Sequence, residues 1–273
     1  MLATFEPRML NESLISPAEH TTAFLQGTYQ LEALGGAEMY FELLATQRKS
    51  SQTGYRQLTL DYRQGSPVIP ANLGFSLFSP GPLETSGGEP VGVRAFIGFG
   101  NDVNEQEVNF YKPTVGLRGD LGSEWRYDVT LSDSKSDAQY LFESYLTDKV
   151  TLAGDVVAAP VGTDATLVRN GLTCAINITN PAERCIPYPP LDNALIGGSL
   201  PADFKNYIFR DVIGNTDYEE TVITTTFDGA LATLPAGRVL GAFGVEYRRA
   251  EIDDTPDPNS TAGNLGSTVT TLK

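Results

Sequence analysis

A chain of 273 residues with a formal net charge of −15 offers no basic surface to a phosphate backbone, which argues against a nucleic-acid partner. Hydrophobic residues make up 41% and charged residues 19%, a composition that can build a folded core. No run approaches the roughly 18–20 apolar residues of a membrane helix, an exclusion that does not reach β-barrels, whose strands turn only about half their residues to lipid.

The first twenty residues, "MLATFEPRMLNESLISPAEH", lack a basic stretch followed by an apolar core. They do not read as a signal peptide, so the chain is expected to be unexported or an internal piece of a longer one. From there the dominant period is two, the period of a strand with one apolar face. A strand over 28–34 and a turn at "LGGA" precede a strand over 37–47, where Ala37, Met39, Phe41 and Leu43 alternate with Glu38, Tyr40 and Glu42. A strand over 55–63 alternates Leu58, Leu60 and Tyr62 with Gln57, Thr59 and Asp61. Further strands are expected over 91–99 and 107–118, the latter alternating Tyr111, Val115 and Leu117 with Lys112, Thr114 and Arg118.

The glycine turn "GDLGSE" leads into 124–134, where Trp125, Tyr127, Val129 and Leu131 oppose Arg126, Asp128, Thr130 and Ser132. A long polar loop over 141–217 follows, with helix-like spacing at Leu146, Val150 and Ala153 or Val157. The last pair, 218–231 and 238–251, is joined by "LPAG" and places Val239, Phe243, Val245 and Tyr247 opposite Glu246 and Arg248.

Connections alternate between short glycine turns and long loops at 64–90, 141–217 and 252 to the end. Compact domains seldom carry structureless loops of that length. Antiparallel strands crossing a slab produce the alternation naturally. Several strands run to ten residues or more with aromatics near their ends, against about five or six in a soluble sandwich. The expected fold is all-β: an antiparallel transmembrane β-barrel segment of about 7–8 strands, with long extracellular loops and one short helix.

Cys174 and Cys185 lie in "GLTCAINITNPAERCIPYPP" with no histidine or further cysteine beside them, which disfavours zinc. They suit a small disulfide ring in an oxidising compartment, or stand as two free thiols. The single histidine, His20, lies in a polar, loop-like segment, and no nucleophile, phosphate-loop or metalloprotease motif occurs. Acidic clusters at 101–107, 132–137 and 251–259 lack EF-hand spacing and read as solvated loops. No catalytic residue, cofactor or metal site is expected, and the chain does not read as an enzyme.

Two stretches are distinctive. "YKPTVGLRGDLGSEWRYDVTLSDSKSD" and "FDGALATLPAGRVLGAFGVEYRRAEIDDTPDP" resemble barrel strands of bacterial TonB-dependent outer-membrane receptors, and "CAINITNPAERCIPYPP" resembles the disulfide loop these receptors carry on the cell surface. The resemblance spans most of 28–256. It implies a barrel of about 22 strands around a plug domain, import of a scarce nutrient (siderophore, cobalamin or oligosaccharide) by energy-coupled transport, and a place in the bacterial cell outer membrane. Neither a plug, a TonB box nor a closing C-terminal strand is legible, so an internal barrel segment is expected.

The implied partners are outer-membrane lipid, the TonB system acting through the missing plug, and a small-molecule nutrient. On this reading Lys112, Arg118, Arg126, Asp128, Thr130, Glu246 and Arg248 line the lumen. Trp125, Tyr127, Val129, Leu131, Phe243, Val245 and Tyr247 face lipid. Loops at 68–82 and 174–190 are expected to contact ligand. A passive porin-like or adhesive barrel, or a secreted soluble β domain binding carbohydrate, are the alternatives.

Overall fold

The computed structural model describes residues 10–70, 85–86, 89–122 and 124–266. Six long strands carry the fold: β1 (Ala18–Gln30), β2 (Glu38–Arg63), β4 (Glu89–Leu121), β5 (Trp125–Tyr145), β8 (Phe209–Leu234) and β9 (Gly237–Thr255). They pair antiparallel in the order β1-β2-β4-β5-β8-β9, and the two-residue β3 (Thr85–Ser86) pairs with β4. The all-β expectation holds. The sheet is open, with β1 and β9 as its edges.

The strands are fewer and longer than the sequence suggests. The segments expected over 37–47 and 55–63 are one strand, β2, and those over 91–99 and 107–118 are one strand, β4. "GNDVNE" is not a turn, because Asn101, Asp102, Val103 and Asn104 all continue the ladder to β2. The ladder is interrupted near this point by a bulge between Tyr55 and Gln57, with Gly100 at φ 110°, and again between Tyr62 and Arg63. Loss of alternation marked a change in what surrounds the strands rather than an end to their pairing. The acidic residues at 101–107 and 132–137 sit in strands rather than in loops. So do His20, which faces Arg48 across the β1–β2 ladder, and residues 251–255 of the third acidic cluster.

One end of the sheet has tight turns. In the β1–β2 connection Leu34, Gly35 and Gly36 all adopt positive φ, and a Cβ on Gly35 would lie 1.8 Å from the Asp120 carbonyl oxygen. The opposite end carries residues 146–208 as a compact module. It holds α1 (Thr147–Gly154), where a helix was expected, the hairpin of β6 (Val156–Ala158) and β7 (Leu172–Cys174), and three short helices, α2 (Ile176–Thr179), α3 (Asn193–Ile196) and α4 (Ala202–Ile208). β5 and β8 extend into the expected 141–217 loop and shorten it. After β9, α5 (Pro258–Thr261) leads a return segment onto the module, where Asn264 accepts from Thr147 N–H and Leu265 bridges to Leu146.

The buried core belongs to the module and to the upper β2–β4 hairpin. Leu58, Leu60, Tyr62 and Ile97 pack against Tyr188, Leu195, Phe204 and Ile208. All eight are at most 2% exposed. Below this core the sheet has no second layer among the described residues.

Candidate functional site

Cross-strand register assigns every strand residue to one of two faces, because successive side chains alternate. On the first face lie Met39, Phe41 and Leu43 of β2, Val115 and Leu117 of β4, and Val129 and Leu131 of β5. Ile223 and Phe227 of β8 and Phe243, Val245 and Tyr247 of β9 continue it, and Leu25 and Tyr29 of β1 begin it. Apart from the half-buried Leu117, these side chains are exposed: Val245 at 75%, Phe243 at 58%, Val129 at 39%. Near the tight turns Trp125 stacks on Phe243 with ring centroids 6.0 Å apart. The indole crosses β8 over Gly229, where a Cβ would lie 2.5 Å from the ring. Tyr127 Oη donates to the Leu34 carbonyl at 3.0 Å, tying this end of the face to the neighbouring turn.

The apolar belt stops abruptly on every strand. On β1 Ala23 gives way to Thr21 and Glu19, on β2 Ala45 to Gln47 and Lys49, and on β4 Tyr111 to Asn109 and Glu107. On β5 Leu131 gives way to Asp133 and Lys135, on β8 Ile223 to Thr221 and Glu219, and on β9 Tyr247 to Arg249 and Glu251. The boundary is level from Ala23 through Ala45 to Tyr111, and level again from Leu131 through Ile223 to Tyr247. It steps once, between β4 and β5, where Tyr111 faces Lys135 rather than Leu131. Beyond it, ion pairs such as Lys49–Glu107 at 3.4 Å and Lys135–Glu219 at 3.3 Å bridge neighbouring strands.

The opposite face is polar and cross-linked. Tyr40 Oη donates to Asp128 at 2.8 Å and is 2.7 Å from Thr130 Oγ1. To reach them its ring crosses β4 over Gly116, where a Cβ would sit 2.1 Å from the ring. Arg118 binds Glu38 and lies over the Tyr40 ring at 5.3 Å. Arg126 pairs with Asp228 at 2.5 Å, and Arg248 with Glu246 at 3.2 Å and Glu220 at 3.6 Å. Thus Lys112, Arg118, Arg126, Asp128, Thr130, Glu246 and Arg248 share this face, and Trp125, Tyr127, Val129, Leu131, Phe243, Val245 and Tyr247 share the other. Of the residues that organise the polar face, Asp228 went unnamed in the sequence reading, and Glu38 and Tyr40 entered it only as the polar half of the alternation over 37–47, with no site role.

Cys174 and Cys185 form a disulfide, settling the alternatives left by the sequence. Asn177 is buried inside the ring: its amide donates to Thr173 Oγ1 at 2.9 Å and to the Cys185 carbonyl at 2.7 Å, and its oxygen accepts from Cys185 N–H. In a chain-entropy view a ring of this size stabilises by about 3 kcal/mol. Residues 185–189 are largely buried, so of the 174–190 stretch mainly the tip at 178–182 is presented to solvent. Val68 is also buried, its carbonyl accepting from Leu191 N–H at 2.9 Å; the rest of the 68–82 stretch beyond residue 70 lies outside the described residues.

Within the module, burial pushes the phenols of Tyr188 and Tyr207 above their ordinary values, with Asp61 and Glu183 respectively adding negative charge nearby. Burial acts upward on Asp203 too. The Arg169 guanidinium and the Phe204 N–H outweigh it and hold the carboxyl below its usual range. Among the described residues no group of three or more His, Cys, Asp or Glu side chains is placed to hold a metal ion, and no helix is long and apolar enough to cross a membrane. The chain matches no protein-family model, no curated protein and no solved structure.

Proposed function

We propose that this chain is part of a bacterial outer-membrane barrel of the TonB-dependent receptor type, which binds a scarce nutrient and imports it by energy-coupled transport. The observation that carries the reading is the exposed apolar belt, continuous over six strands and ended on each by a polar pair. On β5 the run from Trp125 to Leu131 covers six steps, about 20 Å along the strand at roughly 3.3 Å per residue, against an apolar band of about 25 Å on outer-membrane barrels. Water would penalise so much uncovered apolar area; acyl chains would not. The polar face then borders an aqueous lumen, and the module stands outside the membrane on the side of the long loops.

Among the described residues nothing pairs with the outer edges of β1 and β9, which expose backbone groups. In hydrocarbon each would cost several kcal/mol, so further strands must meet β1 and β9 for the sheet to span a bilayer. The specific strand sequences and the disulfide loop favour the receptor over a passive porin-like or adhesive barrel. The soluble carbohydrate-binding alternative leaves the belt without a covering layer.

Membrane partition tests the reading. With further strands meeting its two edges, the protein should sediment with membranes and require detergent for extraction. Val129→Arg should cost about 2–4 kcal/mol of membrane stability, and Thr130→Arg, on the polar face, little. A chain that stays soluble without detergent, or equal effects at the two positions, would contradict it.

A further inference from the structure

Four strand glycines of this sheet are covered in the same way. Gly27 faces Phe41, Gly116 faces Tyr40, Gly214 faces Tyr140 and Gly229 faces Trp125, each directly across a ladder. The ring lies over the glycine in every pair, where a Cβ would come within 2.1–2.5 Å of it. Only a residue without a Cβ lets a ring pass so close to the backbone. Gly244 of β9 lacks such a cover. It lies on the polar face, its ladder partner is Thr226, and a Cβ there meets nothing closer than 3.5 Å. Its other side is the free edge of β9. The free edge of β1 holds the converse: Phe24, on the polar face opposite Leu44, is 57% exposed.

The two edges match in one register. All ladders are antiparallel and join six long strands, so β1 and β9 run in opposite directions and two copies can meet edge to edge, antiparallel again. Phe24 set opposite Gly244 brings Leu25 beside Phe243 and Ala23 beside Val245 on the belt face, and Glu19 beside Arg249 above it. Arg248, held by Glu220 and Glu246, comes beside His20. A slip of two residues one way sets Glu19 against Glu251, and the other way sets Thr21 against Val245 within the belt; either takes Phe24 off Gly244.

The belt favours the same register. Its upper limit drops four residues from β4 to β5, where Tyr111 faces Lys135 rather than Leu131. Ala23 beside Val245 drops it by two more past Tyr247, in the same sense. That makes one residue per ladder around a copy, about 3.3 Å for each strand spacing of about 4.8 Å, or a tilt of about 35°, at the edge of the 35–45° of membrane barrels. We infer that the free edge of β1 pairs with the free edge of β9 on a second copy of this chain, with Phe24 over Gly244, so that a ring of copies closes the sheet. Head-to-tail contacts of this kind close into rings. The inference rests on the belt reading above and names what meets both edges.

Gln26 and Ala242 then face each other, two positions from Phe24 and Gly244. The two native cysteines are bridged, so introduced thiols report alone. Gln26→Cys with Ala242→Cys in the full chain, purified in dodecylmaltoside and oxidised, should give a ladder of covalent multimers that reductant collapses. Either single variant, and the shifted pair Gln26→Cys with Glu246→Cys, should give none. Phe24→Ala and Gly244→Val should each weaken association by about 10-fold in light-scattering mass measurements, with amide exchange over 146–208 unchanged. A chain that stays monomeric, its edges left to strands from outside it, would overturn the inference. So would equal cross-linking of the shifted pair, or association that survives both substitutions. These outcomes are read from mass and cross-linking and the barrel reading from membrane partition, so the two fail separately.

Discussion

Phe204 and Phe243 are chemically one side chain in opposite circumstances. Phe204, in α4, is 0% exposed among Tyr188, Ile208 and the β2 side chains beneath the module; Phe243, on β9, is 58% exposed. The module meets its apolar demand internally, with a disulfide, a satisfied buried Asn177 and a layered core. The belt meets none of its own, and leaves an ordered, sharply bounded apolar surface to whatever lies outside. The same chain thus buries phenylalanine in one region and exposes it in another, in a sheet of six long strands.

β2 shows the difference within one strand. In the belt its odd-numbered residues, Met39, Phe41 and Leu43, are the apolar ones; beneath the module the even-numbered Leu58, Leu60 and Tyr62 are. Alternation runs on while its sense inverts, because the module covers the face that is polar lower down. On β4 the bulge near Gly100 makes the matching change.

The comparison breaks most visibly by truncation. Phe204→Ala should destabilise the module by about 3–5 kcal/mol, seen as faster amide hydrogen exchange over 146–208. Phe243→Ala should alter exchange there by less than about 0.5 kcal/mol, while reducing detergent bound per chain. Equal effects would erase the distinction between the regions. A smaller change is expected on the polar face. Tyr40→Phe removes the bonds to Asp128 and Thr130 and should cost about 1–2 kcal/mol in thermal stability, without changing membrane partition.

The smallest effect is a pH dependence confined to the module. The Asp203 carboxyl is held below its unfolded value, so its contribution to stability is present above the ordinary carboxylate range. It is lost as pH falls through that range toward the folded value. The module should loosen on acidification, measured by limited proteolysis across a pH series, and Asp203→Asn should flatten the response. The Asp203 side chain is about half exposed, so the difference is small.

The two-faced sheet was legible because Trp125, Tyr127, Val129 and Leu131 alternate strictly with charged or hydroxyl residues. The loops were less so. Ser50–Gly54 and Asn101–Glu107 carry no apolar pattern, since both faces there meet water, and pairing between two polar surfaces leaves no periodic trace. The inversion on β2 likewise made one strand read as two. Nor could sequence reveal that residues 185–189 would be buried; Pro187 and Tyr188 look like an exposed proline-rich loop until Leu58, Tyr62 and Phe204 close around them. The pairing of Arg56 with Glu143 depends on where the β4–β5 ladder ends, which no local pattern encodes.

The sequence contains one tryptophan, Trp125, at the turn end of the belt. Its fluorescence reports directly on what covers that face. With the chain in brominated dodecylmaltoside, the bromines should quench the Trp125 emission strongly, and aqueous iodide should quench it weakly. Strong iodide quenching with no effect of the brominated detergent would mean that the belt meets water rather than acyl chains, and would contradict the account.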